Sequence, residues 1–218
     1  LGPERACAQG WISPRAMRNG IIVTVLFACL IGSALLFYAG WELIIVGLLC
    51  VLFAFLYTTG PYPLSYNGWG DVLVIVFFGF VPVGGTYYVQ ALTWTSDTTV
   101  ASLICGLLID TLLVVNNYRD READARSGKR TVIVRFGEKF GRYLYLMLGV
   151  AASLLCFWFF FEGHLFAALL PLLYLIPHVL TWRRMVQIHS GKKLNSILGE
   201  TSRNMLLMGI LLSIGFLI

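Results

Sequence analysis

Seven apolar stretches, each about 20 residues long, follow one another along this sequence. Hydrophobic residues make up 58% of the chain and charged residues 12%, whereas an ordinary soluble domain has about 25% charged residues. A helix needs about 20 mainly apolar residues to cross a bilayer. The sequence therefore predicts an all-α, polytopic transmembrane bundle in contact with lipid, with residues 1–218 as a single domain. The predicted spans are Met17 to Tyr38, Trp41 to Thr58, Asp71 to Ala91, Thr98 to Tyr118, Phe140 to Phe161, His164 to Trp182, and Gly199 to Ile218.

The basic residues lie on one side of the predicted membrane. All 16 Lys and Arg residues fall in residues 5–18, 119–142 or 183–203. The connections on the opposite side, near Gly40, Asp97 and Gly163, contain none. Because basic loops face the cytoplasm, we expect these three segments there. The net charge of +5 is explained by this sidedness and by contact with anionic lipid or phosphate, and nucleic-acid binding is not indicated.

An oxygen ladder, formed by Asn116, Asp120 and Asp124, lies in the second basic segment. Residues four apart share one face of an α-helix at intervals of about 6 Å, and Glu122 falls on the opposite face. Mg²⁺ usually combines one or two carboxylates with waters and substrate phosphates, so the spacing suits a metal-bridged diphosphate. The alternative is a solvated helix end whose acids pair with neighbouring arginines.

Two basic residues follow the ladder after a helix terminator. Gly128 is a natural end for the helix, and Lys129 and Arg130 come directly after it. These cations can reach back to a diphosphate on the ladder. Positive-inside topology alone would also place basic residues here, so the combination with the ladder is more informative than either cation.

The connection between the second and third predicted spans carries no positive charge, although we expect it on the cytoplasmic side. Glycines and prolines bend and stiffen it. Tyr57, Tyr62, Tyr66 and Asp71 offer flat surfaces and hydrogen bonds. Two interpretations remain open: a binding surface for an aromatic ligand, or an aromatic belt at the membrane interface.

Asp110 is an acid within a predicted span, where an Asp costs roughly 2.5–3.5 kcal/mol on insertion scales. We expect its side chain to face inward, either in a structural pair or on the wall of a cavity. The five cysteines and three histidines show no metal-binding spacing, and we expect packing or interfacial roles for them.

These strings resemble those of the UbiA-type membrane prenyltransferases, and the similarity extends over nearly the whole chain. Within that family they are most similar to the branch that prenylates 1,4-dihydroxy-2-naphthoate in menaquinone synthesis. The strings that carry the resemblance are Asn116 to Asp120 with Asp124, Gly128-Lys129 and Thr131; Val134 to Gly137; Tyr57 to Pro61; Gly68 to Asp71; and Gly2 to Arg5 leading to Gly10.

The resemblance implies nine transmembrane helices around a central cavity, with two Asp-rich motifs facing each other across Mg²⁺ and a diphosphate. This sequence supplies the second motif. The first motif, of the form N-x-x-x-D, and the first two helices are expected before Leu1. We therefore expect this piece to be inactive by itself.

The resemblance also implies a reaction and residue roles. The reaction is transfer of a polyprenyl group from polyprenyl diphosphate to 1,4-dihydroxy-2-naphthoate with decarboxylation, forming demethylmenaquinone. It is expected in the bacterial plasma (inner) membrane, with Mg²⁺ as cofactor and an active site open to the cytoplasm. The implied metal ligands are Asp120, Asp124 and Asn116. The implied substrate-binding residues are Arg5, Asn116, Asn117, Arg119, Lys129, Arg130, Tyr62 and Tyr66, and the implied catalytic residues are Asp120, Asp124, Asp71 and Tyr57.

Three alternatives compete with this interpretation. Another acceptor, such as 4-hydroxybenzoate, homogentisate, haem or a chlorophyll precursor, would keep the family and change the substrate. A cation transporter would use Asp110 and the oxygen ladder as an ion path, and would show ion flux without prenyl diphosphate. A structural membrane subunit would show no metal dependence and would leave the polar helix face unexplained.

Overall fold

Seven apolar helices and a short 3-10 turn, Leu64–Tyr66, with no strand, make up the regular structure of residues 4–218, which the computed structural model describes. Six are long and apolar enough to cross a membrane, and α2 is slightly shorter. This confirms the all-α, polytopic prediction; Gly2 and Pro3 lie outside the described residues. The helices are α1 Pro14–Phe37, α2 Glu42–Thr58, α3 Gly70–Ala91, α4 Ser96–Arg126, α5 Val132–Phe161, α6 Leu165–Ile188 and α7 Lys192–Leu217.

Short polar side chains and a glycine set several helix ends. The hydroxyls of Ser13, Thr95 and Thr131 each accept a hydrogen bond from the backbone N–H three residues further on, which satisfies one of the unpaired donors at a helix start. Gly128, just after α4, has a φ of 76°, a left-handed conformation that glycine adopts without steric cost. The predicted terminator is therefore observed.

Helix α4 is longer than the membrane is thick. Its 31 residues span about 46 Å at 1.5 Å per residue, whereas the hydrocarbon core is about 30 Å thick. The predicted span ended at Tyr118, where the apolar residues end, but the helix continues to Arg126. Its last two turns, which carry Asp120 and Asp124, therefore extend beyond the hydrocarbon.

Helix α4 is also the centre of the packing. It contacts α3 on one side, α5 on another, and α7. Two groups of buried side chains hold α4, α5, α6 and α7 together at different depths. One includes Ile104, Phe159, Tyr174 and Met208; the other includes Val114, Tyr118, Tyr145, Met185 and Ile197.

Helices α3 and α4 approach closely at glycines. A Cβ atom added to Gly79 would lie 2.5 Å from the carbonyl oxygen of Ser102 and 2.8 Å from the Cα atom of Gly106. A Cβ atom added to Gly106 would lie 2.9 Å from the carbonyl oxygen of Ile75. Small residues allow such backbone approach between membrane helices. The contacts fix an antiparallel register in which Asp71 lies opposite Asp110.

Helices α1 and α2 pack at the periphery. Neither contains a buried residue; they contact each other, and α2 also contacts the connection that follows it. The rings of Phe53 in α2 and Phe77 in α3 lie 5.2 Å apart and join this pair to the rest. Their apolar surface suits contact with lipid, in which no polar exterior is needed.

The glycine contact generates a stability prediction. We expect Gly79→Ala to lower the free energy of unfolding by about 1–3 kcal/mol, because a methyl group there forces the two backbones apart. Gly209→Ala in α7 is the matched control, since a Cβ atom there meets nothing within 4 Å; it should be neutral or gain up to about 1 kcal/mol from helix propensity. Denaturant unfolding in detergent measures both, and equal stability of the two variants would contradict the register.

Candidate functional site

The connection between α2 and α3 lies over the end of α4 and the start of α5. The backbone N–H of Arg130 donates to the carbonyl oxygen of Tyr66 at 2.7 Å. Arg135 Nη2 donates to the carbonyl oxygen of Asn67 at 2.7 Å. A Cβ atom added to Gly68 would lie 2.9 Å from the carbonyl oxygen of Arg130, so glycine permits the approach. The aromatic connection and the basic segment therefore form one site, on one side of the bundle.

A small polar cavity lies between these elements. Its volume is about 10 Å³, which is about the space that one water molecule requires. Of the predicted site residues, Tyr57, Asp71, Asn117 and Lys129 line it. The cavity therefore brings together residues from α2, α3, α4 and the α4–α5 connection. The other lining residues, which the sequence did not single out as site residues, are Ser65, Gly68, Gly70 and Thr131.

Arg119 holds the oxygen ladder in place. Its guanidinium forms a two-point ion pair with Asp120, through Nε to Oδ1 at 2.8 Å and Nη2 to Oδ2 at 2.5 Å. Nη2 also donates to Asn116 Oδ1 at 2.7 Å, and Nη1 donates to Asn195 Oδ1 in α7 at 2.8 Å. Arg119 is only 6% exposed, so these charge-assisted bonds offset the cost of burying its charge.

Asp124, the outermost residue of the ladder, is paired with Lys129. Lys129 Nζ lies 3.4 Å from Asp124 Oδ2, and the backbone N–H of Lys129 donates to the carbonyl oxygen of Asp124 at 2.9 Å. The turn at Gly128 makes this return possible. Since Lys129 also lines the polar cavity, it connects the cavity directly to the ladder.

The other neighbouring arginine belongs to a separate ion cluster. Arg121 Nη2 donates to Glu138 Oε2 at 3.1 Å, and Glu138 also pairs with Arg142 and His189 at 3.1 Å each. This cluster links α4, α5 and the end of α6. The alternative was that the ladder acids pair with surrounding arginines. It holds for Asp120, which pairs with Arg119, but Arg121 pairs with Glu138 instead.

Four predicted residues belong neither to the cavity lining nor to the ladder and Arg119. Tyr62 is 56% exposed, and the side chain of Tyr66 is also exposed. Arg130 and Arg5 are exposed as well. Arg130 takes part through its backbone N–H, and Arg5 forms no described side-chain hydrogen bond or ion pair within residues 4–218. Their substrate-binding roles stay predictions.

The ladder supplies a ligand set of the kind that Mg²⁺ takes. Its donors are carboxylate and amide oxygens, and an ionised carboxylate has about four acceptor positions, so Asp120 can accept from Arg119 and still bind a cation. Among residues 4–218, no three His, Cys, Asp or Glu side chains converge on one point. Asp120 and Asp124 thus fit two of the ligands of a Mg²⁺ ion that keeps waters and phosphates as the others.

Asp110 lies behind the polar cavity. It is only 1% exposed, and its Oδ1 atom is buried without a hydrogen-bond partner. The Oδ1 atom of Asp71 is also buried without a partner, and the α3–α4 register places the two acids opposite each other. Asp110 is thus inward-facing, as predicted, but it does not line the cavity wall itself.

A helical membrane bundle with paired carboxylates and cations beside a polar cavity defines the class of protein. The chain belongs to the UbiA prenyltransferase family, whose model matches residues 2–210. No solved structure is significantly similar to this chain.

Three relatives have the same description, 1,4-dihydroxy-2-naphthoate octaprenyltransferase. The Haemophilus influenzae protein is 36% identical over 232 aligned residues, which cover 100% of this chain and 73% of the relative. The Escherichia coli protein is 38% identical over 162 residues, 72% of this chain and 52% of the relative. The Mycobacterium leprae protein is 38% identical over 154 residues, 71% of this chain and 52% of the relative. These alignments thus cover about half to three quarters of the relatives' length.

The opposed acids generate a second stability prediction. We expect Asp110→Asn to raise the free energy of unfolding by roughly 1–2 kcal/mol, because it removes a buried carboxyl oxygen that lacks a partner and presents an N–H donor towards Asp71. Glu122→Gln, an exposed change on the same helix, is the control and should leave stability unchanged. If Asp110→Asn instead loses more than about 2 kcal/mol in denaturant unfolding, Asp110 has a partner that the asparagine cannot replace.

Proposed function

We propose that the protein containing this chain transfers a polyprenyl group from polyprenyl diphosphate to 1,4-dihydroxy-2-naphthoate with loss of CO₂. The observation that carries this proposal is the position of Lys129, which lines the polar cavity and contacts Asp124 of the ladder. A diphosphate site and an acceptor site must adjoin for such a transfer. The names of the relatives support the choice of acceptor.

The ladder end is suited to hold a diphosphate leaving group. Arg119 fixes the carboxylate of Asp120 in one orientation, so that the metal ligand is preorganised. Lys129 lies at the long distance of 3.4 Å from Asp124, and a small movement brings its ammonium group to a phosphate oxygen. Mg²⁺, when bound by Asp120 and Asp124, would neutralise charge on the diphosphate oxygens.

The polar cavity is suited to hold the hydroxylated end of the acceptor. Asp71 Oδ1 is a buried acceptor without a donor, and a ring hydroxyl can supply one. The Tyr57 hydroxyl lies close to the start of α3, since a Cβ atom at Gly70 would be in van der Waals contact with it at 3.5 Å. Tyr57 and Asp71 can therefore orient an aromatic diol by two hydrogen bonds.

Each bond change in the proposed reaction is balanced without an added oxidant or reductant. The allylic C–O bond breaks, and its electron pair leaves with the diphosphate. The ring carbon that bears the carboxylate forms the new C–C bond. Its bond to CO₂ then breaks, and that electron pair restores the aromatic ring, which gives the prenylated diol, the reduced form of demethylmenaquinone. An apolar surrounding of the allylic chain would exclude water that would otherwise capture the allylic cation.

The metal proposal predicts a specific effect of charge removal. In the complete protein, Asp120→Asn and Asp124→Asn should each lower prenyl transfer by about 10²–10³-fold, since each removes a charge that stabilises the transition state. Glu122→Gln removes an acid from the opposite face and should retain activity. The assay compares membranes of equal protein abundance across a Mg²⁺ titration; near wild-type transfer in the double Asn variant would exclude the assignment.

The proposed location in a bacterial plasma membrane, with the site open to the cytoplasm, predicts the labelling of two loops. In a complete protein whose native cysteines are replaced by alanine, Thr93→Cys in the α3–α4 connection should react with an impermeant maleimide added to intact cells. Ser190→Cys in the α6–α7 connection should react only after the membrane is opened, because basic loops remain cytoplasmic. The reverse pattern would show the opposite orientation.

A further inference from the structure

A groove with a volume of about 430 Å³ lies between α6 and α7. None of its lining residues belongs to the oxygen ladder or to the polar cavity. Three arginines line it, Arg183 and Arg184 from α6 and Arg203 from α7. Leu180 lines the same groove one turn before Arg184, so the groove has a cationic end and an apolar continuation.

The acidic residue on the floor of the groove is neutralised by one of the three arginines. Glu200, 8% exposed, accepts an ion pair from Arg184 Nη1 at 2.5 Å. Asn204 Nδ2 donates to Thr181 Oγ1 at 2.9 Å. These two contacts tie α6 to α7 and use the polar atoms of the floor. Arg184 is therefore a structural partner of Glu200.

The other two arginines have no carboxylate partner among residues 4–218. Both Arg183 and Arg203 are exposed, and neither takes part in an ion pair in the described part of the chain. Arg203 lies 11 residues into α7, about 16 Å along the helix from Lys192. A charge at that depth on an outward face is costly in lipid, but a long side chain can extend to the phosphate level of the interface.

We propose that the groove binds one anionic phospholipid from the surrounding leaflet, with Arg183 and Arg203 on its phosphate and an acyl chain along Leu180. Two uncompensated arginines favour a lipid with net negative charge over a zwitterionic one, whose own cation would be repelled. Guanidinium groups match phosphate oxygens in geometry. A second copy of the chain does not suit the groove. Arg183 and Arg203 of the two copies would either face each other or remain without an anionic partner.

The experiment measures lipid retention by the complete protein, purified in detergent and supplied with phosphatidylglycerol or phosphatidylcholine in mixed micelles. Native mass spectrometry and the thermal unfolding midpoint are read for each lipid. Wild-type protein should retain one phosphatidylglycerol and gain stability from it, with little effect of phosphatidylcholine. The Arg183→Gln/Arg203→Gln variant should bind phosphatidylglycerol at least about 10-fold more weakly.

The matched control removes the same charge outside the groove. Lys192→Gln/Lys193→Gln lies in the first turn of α7, outside the groove lining, and should retain the lipid as the wild type does. Leu180→Trp keeps all three arginines and fills the apolar continuation, so it should also weaken retention. Each variant is first compared without added lipid, where all should unfold at the wild-type midpoint.

Three results would overturn the proposal. The first is undiminished retention in the arginine double variant, and the second is equal loss in the lysine control, which would indicate a diffuse charge effect. The third is an equal rise of the unfolding midpoint with inorganic phosphate in place of lipid, which would show that the groove binds a free anion. If the Arg183→Gln/Arg203→Gln variant is unfolded without lipid, the Leu180→Trp variant is used for the test instead. Normal retention of phosphatidylglycerol by Leu180→Trp would then contradict the proposal.

Discussion

The buried guanidinium of Arg119 is the group on which the arrangement of the ladder depends. A cation with little access to water must find its hydrogen-bond partners within the protein. Here those partners are Asp120, Asn116 and Asn195, which belong to two helices that are far apart in the sequence. The same contacts that satisfy Arg119 therefore dock the start of α7 against α4 and set the orientation of the ladder.

Membrane thickness explains why that site can be polar. The end of α4 extends past the hydrocarbon, and the basic connections of α6–α7 and α4–α5 lie on the same side of the bundle. Within the hydrocarbon the chain uses close backbone contact instead, with Gly79 and Gly106 as the meeting point of α3 and α4. Asp71 and Asp110 lie between these two regions, where no protein group donates to the Oδ1 atom of either residue.

The sequence predicted the helices and the ladder well, because apolar length and a period near four residues are local properties. Hydropathy placed the end of the span at Tyr118, whereas the ladder spacing and Gly128 predicted that the helix itself continues beyond it, as observed. The contact between Asn67 and Arg135, and the partnership of Arg119 with Asn195, join residues 68 and 76 positions apart. Such pairs depend on tertiary packing. The substrate-binding role predicted for Arg119 stays a prediction, and its bonds to Asp120, Asn116 and Asn195 give it a positioning role that the sequence did not indicate.

Charge balance connects the ladder to its proposed ligand. Without a ligand, Arg119 and Lys129 already compensate the carboxylates of Asp120 and Asp124, so the site is stable as a neutral group of four. A diphosphate that enters with one divalent cation brings more negative than positive charge, and Lys129 is the cation able to follow it because its contact with Asp124 is the longer one. Arg119, held by four hydrogen bonds, has to remain. One cation of the pair therefore organises the ladder. In the proposed reaction, the other, Lys129, would move to the diphosphate from its position on the cavity wall, next to the proposed acceptor.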